Sequence, residues 1–166
     1  MSATGEGGRP EHLTAHPRPG DRAPDLTLPD QHGEPVTLSE AVRGRAALLV
    51  FFPAAFTSIC TGELLEVQLD IDTFANDRVQ VHGISCDPQS SLRAWAALEG
   101  YRFPLLSDFW PHGQVCRSYG VLDERHGRPL RGTFLVDPTM TVRWSSVHGP
   151  DEERPIGLLH EAVRDR

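Results

Sequence analysis

The stretch ALLVFFPAAFTSICTGE, Ala47 to Glu63, decides the fold. It opens as an unbroken apolar run, Ala47-Leu48-Leu49-Val50-Phe51-Phe52, rich in branched and aromatic residues. A run of that length and composition suits a strand buried on both faces. Pro53 ends it, because proline cannot donate to a strand ladder. Cys60 follows where an amphipathic helix begins, and Leu64, Val67, Ile71 and Phe74 continue that helix at three- and four-residue intervals. A cysteine therefore lies beyond the carboxyl end of a central strand, in the first turn of a helix. The unpaired amides and the dipole of that turn favour an anion, here a thiolate.

Outward from this stretch, the chain reads as strands and helices in alternation. Residues 1 to 19 are polar and rich in Gly and Pro, and are expected to be a disordered tail ahead of a domain spanning 20–166. Leu26-Thr27-Leu28 and Pro35-Val36-Thr37-Leu38 alternate around Asp30-Gln31-His32-Gly33, the pattern of a hairpin. Val79 to Ser85 reads as a second buried strand. Asp87-Pro88 is expected to cap a helix running through Leu98 to Gly100. Phe103 to Asp108 reads as a loop, and a short helix is expected from His112 to Tyr119. Thr133–Val136 and Thr141–Trp144 flank the turn Asp137-Pro138-Thr139-Met140, and Ile156 to Val163 closes the chain as a helix. This order predicts an α/β fold with a mixed central sheet flanked by helices.

Composition removes several chemistries. All sixteen basic residues are arginine. Schiff-base, P-loop and lysine-base mechanisms are therefore closed to this chain. A net charge of −7 disfavours nucleic acid and membrane surfaces as partners. No apolar run approaches the length of a membrane span, and the amino terminus lacks the apolar core of a secretory signal, so a cytoplasmic location is expected. Cys60, Cys86 and Cys116 are odd in number and widely spaced, which suits a reactive thiol better than a disulfide scaffold or a zinc ribbon. Asp70 and Asp72 begin like a calcium loop, but the required glycine and closing glutamate are absent.

Ligands of such α/β sheets collect beyond the carboxyl ends of the strands, where Cys60 lies. The residues around it fit peroxide chemistry. Thr57 can place a hydroxyl beside the sulfur, accept a peroxide proton and orient the oxygens. Pro53 can wall the pocket from water, and a distant arginine can stabilise both the thiolate and the leaving oxygen.

Pro53-x-x-x-Thr57-x-x-Cys60 resembles the signature of the peroxiredoxins, thiol peroxidases with a thioredoxin fold preceded by an N-terminal β-hairpin. Arg131, in RGTFLVD, matches that family's active-site arginine. The segments LLVFFPAAFTSICTGEL and FPLLSDFWPHGQVCRSYGV are similar to the one-cysteine alkyl hydroperoxide reductase E type. The resemblance implies that the Cys60 thiolate attacks a hydroperoxide and becomes a sulfenic acid, that Thr57 and Arg131 polarise the O–O bond, and that Pro53 shields the product. Substrates would be hydrogen peroxide, organic hydroperoxides and peroxynitrite, in antioxidant defence. It implies a homodimer without metal, haem or flavin. The reductant would be an external thiol: mycothiol with a mycoredoxin for a GC-rich source, or a thioredoxin.

Glu63 is read as either a member of the pocket's hydrogen-bond network or a surface residue. Leu65 stands where one two-cysteine variant carries its resolving thiol, and the last helix has no cysteine. Cys86, at the end of the strand beside the central one, and Cys116, on the short helix, remain as candidate resolving thiols; a buried structural cysteine is the commoner role. Trp110-Pro111-His112 reads as packing or a subunit interface. A rival function is a redox-switched sensor or holdase without efficient turnover. A thioredoxin-like disulfide reductase is a weaker rival, since Glu63 occupies the place of its second cysteine.

Overall fold

The structure, a computed structural model, describes residues 15–164. Of the expected tail, the first fourteen residues lie outside the described residues; among the last five, Pro17 is buried and the His16 ring faces Phe134, whereas Ala15, Arg18 and Pro19 are exposed. The hairpin forms as β1 (Thr27–Pro29) and β2 (Pro35–Thr37), followed by a single turn, α1 (Leu38–Ala41). The central strand is β3 (Ala46–Phe51), fully buried along its length. Then come α2 (Ser58–Leu69), α3 (Ile71–Phe74), β4 (Val79–Ser85), α4 (Gln89–Glu99) and β5 (Leu105–Ser107). The chain continues through α5 (Gln114–Ser118), β6 (Leu122–Asp123), β7 (Arg128–Pro129), β8 (Arg131–Val136), β9 (Val142–His148) and α6 (Ile156–Val163).

Five strands form the main sheet in the order β5-β4-β3-β8-β9. β3 runs parallel to β4 and antiparallel to β8, so the sheet is mixed, as expected. Side chains alternate across a strand, and the core divides accordingly. Leu49, Phe51, Ile84, Phe134 and Val136 join Leu38 of α1 and Val115 of α5 on one face. Leu48, Val50, Val81 and Leu135 join Leu64 of α2, Trp95 of α4 and Leu159 of α6 on the other.

Four local expectations are corrected. The helix after Cys60 does not run to Phe74 but breaks at Asp70 (φ −118°, ψ 37°), whose carboxylate accepts a hydrogen bond from Thr73 Oγ1. Short polar side chains that bond locally compete with the helix in this way. Asp87 does not cap α4; Pro88 occupies that position, and the Asp87 carboxylate turns toward the Cys60 loop. The loop expected at 103–108 contains β5, which pairs with β4 and receives the hairpin through the buried Gln31 amide, bonded to Phe103 O and Leu105 N. Such a short strand is defined by distant partners, not by its own periodicity. The small β6–β7 hairpin, turning at Gly127 (φ 65°), was also outside the expected order.

His82, on β4, is almost wholly buried and its Nδ1 has no protein partner. Burial, with Arg45 adding charge repulsion, pushes the imidazole down to about 4 from 6.5. The unfolded chain thus takes up a proton that the folded chain refuses in the window between those values. Stability should fall as pH drops through it, by about 3 kcal/mol at the acid end. Urea unfolding of wild type and His82→Leu at pH 7 and pH 4.5 tests this: the variant should lose clearly less on acidification. Equal losses would mean that the imidazole is charged in the fold.

Candidate active site

β3 delivers the chain to Pro53, which is buried, and a tight loop then leads to α2. Phe56 adopts a positive φ of 64°, rare for a bulky residue, and its ring is half exposed. Asp87 pins the loop from beneath: its carboxylate accepts from Ala55 N at 2.9 Å and from Ser85 Oγ at 2.7 Å. Thr57 is the N-cap of α2, yet its hydroxyl does not cap the helix; it donates to Ala54 O at 2.7 Å. The first-turn amides, that of Cys60 among them, therefore keep no side-chain acceptor.

Cys60 is completely buried in the first turn of α2. Arg131, the first residue of β8, donates to its sulfur from Nη1 at 3.4 Å. The same Nη1 donates to Glu63 Oε1, and Nε donates to Pro150 O at 2.9 Å. Glu63, one turn beyond Cys60 on α2, is itself buried, so its pocket reading holds geometrically and the surface reading does not. Its second oxygen accepts from Arg154 N at 3.1 Å and Arg154 Nε at 3.0 Å.

Arg154 is a member of this cluster that the sequence did not disclose. It sits in the charged run Asp151-Glu152-Glu153-Arg154, which reads as solvated surface. In the fold it is buried and donates further to Gly132 O, Thr133 Oγ1 and Phe51 O, at 3.0, 2.7 and 2.6 Å. Burial lowers its guanidinium pKa, which the Glu63 charge opposes. Two guanidiniums against one carboxylate leave one positive charge in excess, and the nearest uncommitted sulfur is that of Cys60.

A cavity of about 120 Å³ opens at the start of α2, lined by Pro53, Thr57, Ser58, Ile59, Arg128, Arg131, Pro150 and Asp151. Pro53, Thr57 and Arg131 thus line one cavity, and Arg131 links it to the buried Cys60 sulfur. The Nε of Arg128 is buried without a protein acceptor. A larger concavity along the Gln89–Ala97 face of α4 holds no comparable cluster. Cys86 and Cys116 lie elsewhere: both belong to the core on the opposite face of the sheet, against each other rather than against Cys60.

Known proteins of similar sequence and fold identify the family. Residues 19–145 match the AhpC/TSA family. The chain belongs to it. Alkyl hydroperoxide reductase E of Mycobacterium tuberculosis is 44% identical over 144 residues, covering 87% of this chain and 94% of that protein. Peroxiredoxin 2 of Picrophilus torridus is 32% identical, covering 87% and 73%. Among solved structures, peroxidoxin BcpB from M. tuberculosis superposes with a TM-score of 0.79 at 31% identity, covering 90% of this chain and 97% of its own. The AhpC of Enterococcus faecalis gives 0.79 at 25% identity, covering 89% and 90%. The chain is thus a peroxiredoxin of thioredoxin-like fold, an oxidoreductase of the thiol peroxidase class.

The buried pair of arginines makes a sharp demand on Glu63. Removing the Arg154 guanidinium strips a donor from Glu63 Oε2 and from the buried Gly132 and Phe51 carbonyls, and breaking such a buried ionic cluster costs about 3 kcal/mol or more. Arg154→Met should therefore lower the unfolding free energy by about that much. It should also loosen Arg131 and slow peroxide consumption, although Arg154 makes no hydrogen bond to the sulfur. Chemical denaturation and single-turnover peroxide consumption together check both effects; a variant that keeps wild-type stability would deny that the cluster is closed.

Proposed function

We propose that the chain reduces hydrogen peroxide and organic hydroperoxides through a Cys60 sulfenic acid, with peroxynitrite as a further substrate. The observation that carries this reading is the Arg131 Nη1–Cys60 Sγ contact inside the buried Glu63–Arg154 cluster, facing a small cavity. The Cys60 thiolate attacks one peroxide oxygen and takes it as S–OH, while the O–O bond breaks and its electron pair leaves with the second oxygen as alcohol or water. Arg131 stands where charge develops on both sulfur and leaving oxygen, the placement that stabilises such a transition state.

Thr57 has a defined part. A hydroxyl has one proton to donate and two lone pairs to accept. Its proton is committed to Ala54 O, so toward the cavity Thr57 can only accept. That favours a protonated hydroperoxide over its anion. Pro53 contributes an apolar wall without an amide proton, which limits water around the sulfenic acid. The small cavity and the fully buried sulfur suit turnover of a small substrate better than a sensor that must present its oxidised thiol to a partner surface.

Regeneration requires a thiol from outside, since Cys86 and Cys116 lie across the sheet. A one-cysteine cycle with mycothiol and a mycoredoxin, or with a thioredoxin, fits this placement, and no bound cofactor is required. The half-exposed Phe109 and the largely exposed Trp110 mark the face by which two copies would pair as a homodimer. No helix among the described residues is long and apolar enough to cross a membrane; a cytoplasmic role in antioxidant defence accords with the acidic chain and its free thiols.

Replacement of these residues separates their contributions. Cys60→Ser should abolish rapid peroxide consumption, and intact mass after one equivalent of peroxide should show one added oxygen on residue 60 of wild type alone. Arg131→Met should slow the first turnover by about 100-fold or more. Thr57→Ser should stay near wild type, whereas Thr57→Val should fall with Arg131→Met. A Cys60→Ser protein that consumes peroxide at the wild-type rate would overturn the assignment.

A further inference from the structure

Cys86 and Cys116 form a thiol pair that the Cys60 chemistry leaves unused. Cys86 follows the last residue of β4, and Cys116 is central in α5, thirty residues on. Their sulfurs are 3.9 Å apart. A disulfide needs about 2.05 Å between sulfurs, so a rotation moving them together by about 2 Å would close it. Asp108 completes the cluster: the two sulfurs and a carboxylate oxygen all lie within 4.8 Å of one another. Its carboxylate accepts the Val115 and Cys116 amides at 3.2 and 2.8 Å, which holds it within reach of the Cys116 thiol.

Each thiol sits in a distinct setting. Cys86 keeps 7% of its surface exposed, whereas Cys116 has none. Burial raises the Cys116 thiol well above its ordinary value, and Cys86 and Asp108 push it the same way. Burial likewise raises Asp108, against the backbone amides that hold it down. That combination describes a thiol kept protonated until a base removes its proton, beside a carboxylate made more basic than usual. Asp108 also lines a cavity of about 300 Å³ between the β1 hairpin strand and α5, which gives its proton an exit to solvent.

We propose that Cys86, Cys116 and Asp108 form a second redox centre, independent of Cys60, that closes to a Cys86–Cys116 disulfide with a hydroperoxide as oxidant. Cys86 sulfur attacks one peroxide oxygen; the O–O bond breaks, its electron pair leaves on the other oxygen, and the Cys86 thiol proton passes to that oxygen, leaving Cys86–SOH and an alcohol or water. Asp108 then takes the Cys116 proton, the Cys116 sulfur attacks the Cys86 sulfur, and the S–O bond breaks with release of water as the proton passes to the departing hydroxide. Two thiols and one hydroperoxide give one disulfide, one alcohol and one water, a two-electron oxidation of the pair balanced by two-electron reduction of the peroxide. A metal ion is the less suited occupant, because a structural tetrahedral site takes four ligands and these three groups stand alone among the described residues.

The test uses the full-length, pre-reduced Cys60→Ser chain with a chelator present, exposed to hydrogen peroxide, quenched by alkylation and read by intact mass and non-reducing peptide mapping. The expected result is loss of two hydrogens and a linked pair of Cys86 and Cys116 peptides. Adding Cys116→Ser should stop the reaction at one oxygen on Cys86. Adding Asp108→Asn, which keeps an acceptor for the α5 amides, should leave the first oxidation unchanged and slow closure by about 100-fold, with recovery as pH rises. Both thiols proving alkylatable on denaturation after the folded chain has met excess peroxide, or each gaining oxygen without a crosslink, would overturn the proposal; unchanged closure in Asp108→Asn would remove the carboxylate from it. Oxygen gain at Cys60 is read in wild type on a different peptide, so failure of either centre is visible separately.

Discussion

A carboxylate buried between two guanidiniums holds this molecule's working end together. Glu63 shares its oxygens between Arg131 and Arg154, and the side chains of all three are almost wholly inaccessible. Taking such ions out of water costs several kcal/mol each, so the arrangement persists only where nearly every donor finds an acceptor. Arg154 meets that condition, with bonds from Nε, Nη1 and Nη2 to Glu63, Gly132, Thr133 and Phe51. Those partners lie on α2, on β8 and at the end of β3. The cluster thus specifies how a helix, two strands and the segment before α6 meet, and its worth is position more than net stability.

Position is what the thiol needs. With Arg131 held by Glu63 Oε1 and by Pro150 O, its Nη1 reaches Cys60 without freedom to swing toward water. An arginine stays charged in such burial, whereas a lysine readily surrenders its proton there. A chain whose basic residues are all arginine has only this choice. The positive charge beside Cys60 is thus fixed in position, and the uncapped first turn of α2 adds to it through oriented amides.

The local half of this site was legible and the distant half was not. Pro53, Thr57 and Cys60 lie within eight residues, at a strand end and a helix start that hydrophobic pattern alone discloses. Arg131 is 71 residues from Cys60 and entered only through the family resemblance. Arg154 had no signal at all, because a charged run before a proline reads as surface and its burial depends on acceptors supplied by three other elements. The hinge at Asp70 and the strand β5 failed for the same reason: a local hydrogen bond or a neighbouring strand outweighed the pattern of the segment itself. Cys86 was expected to end the strand beside β3 and in fact follows its last residue, but the sequence did not say which face of the sheet α2 would cover, and that decided its neighbours.

The sheet consequently separates two sulfur environments of opposite sign. On one face the Cys60 thiol accepts a hydrogen bond from Arg131, itself tied through Glu63 to a second buried cation, Arg154. On the other, a thiol lies against Asp108, and the field favours the protonated form. The first setting suits a nucleophile that must be ready before substrate arrives; the second suits one that reacts only when a base has somewhere to send a proton. They are joined by a single residue. Asp87 follows Cys86 directly, accepts the Ala55 amide in the loop that carries Thr57, and through its own carbonyl accepts Ser107 Oγ at 2.6 Å. A bond closing between Cys86 and Cys116 pulls on the backbone at residue 86, and Asp87 is where that pull meets the Cys60 pocket. The strand before it is paired with β3 on one side and β5 on the other, so the approach of the two sulfurs falls to the five-residue α5 that carries Cys116 and to the Asp87 junction.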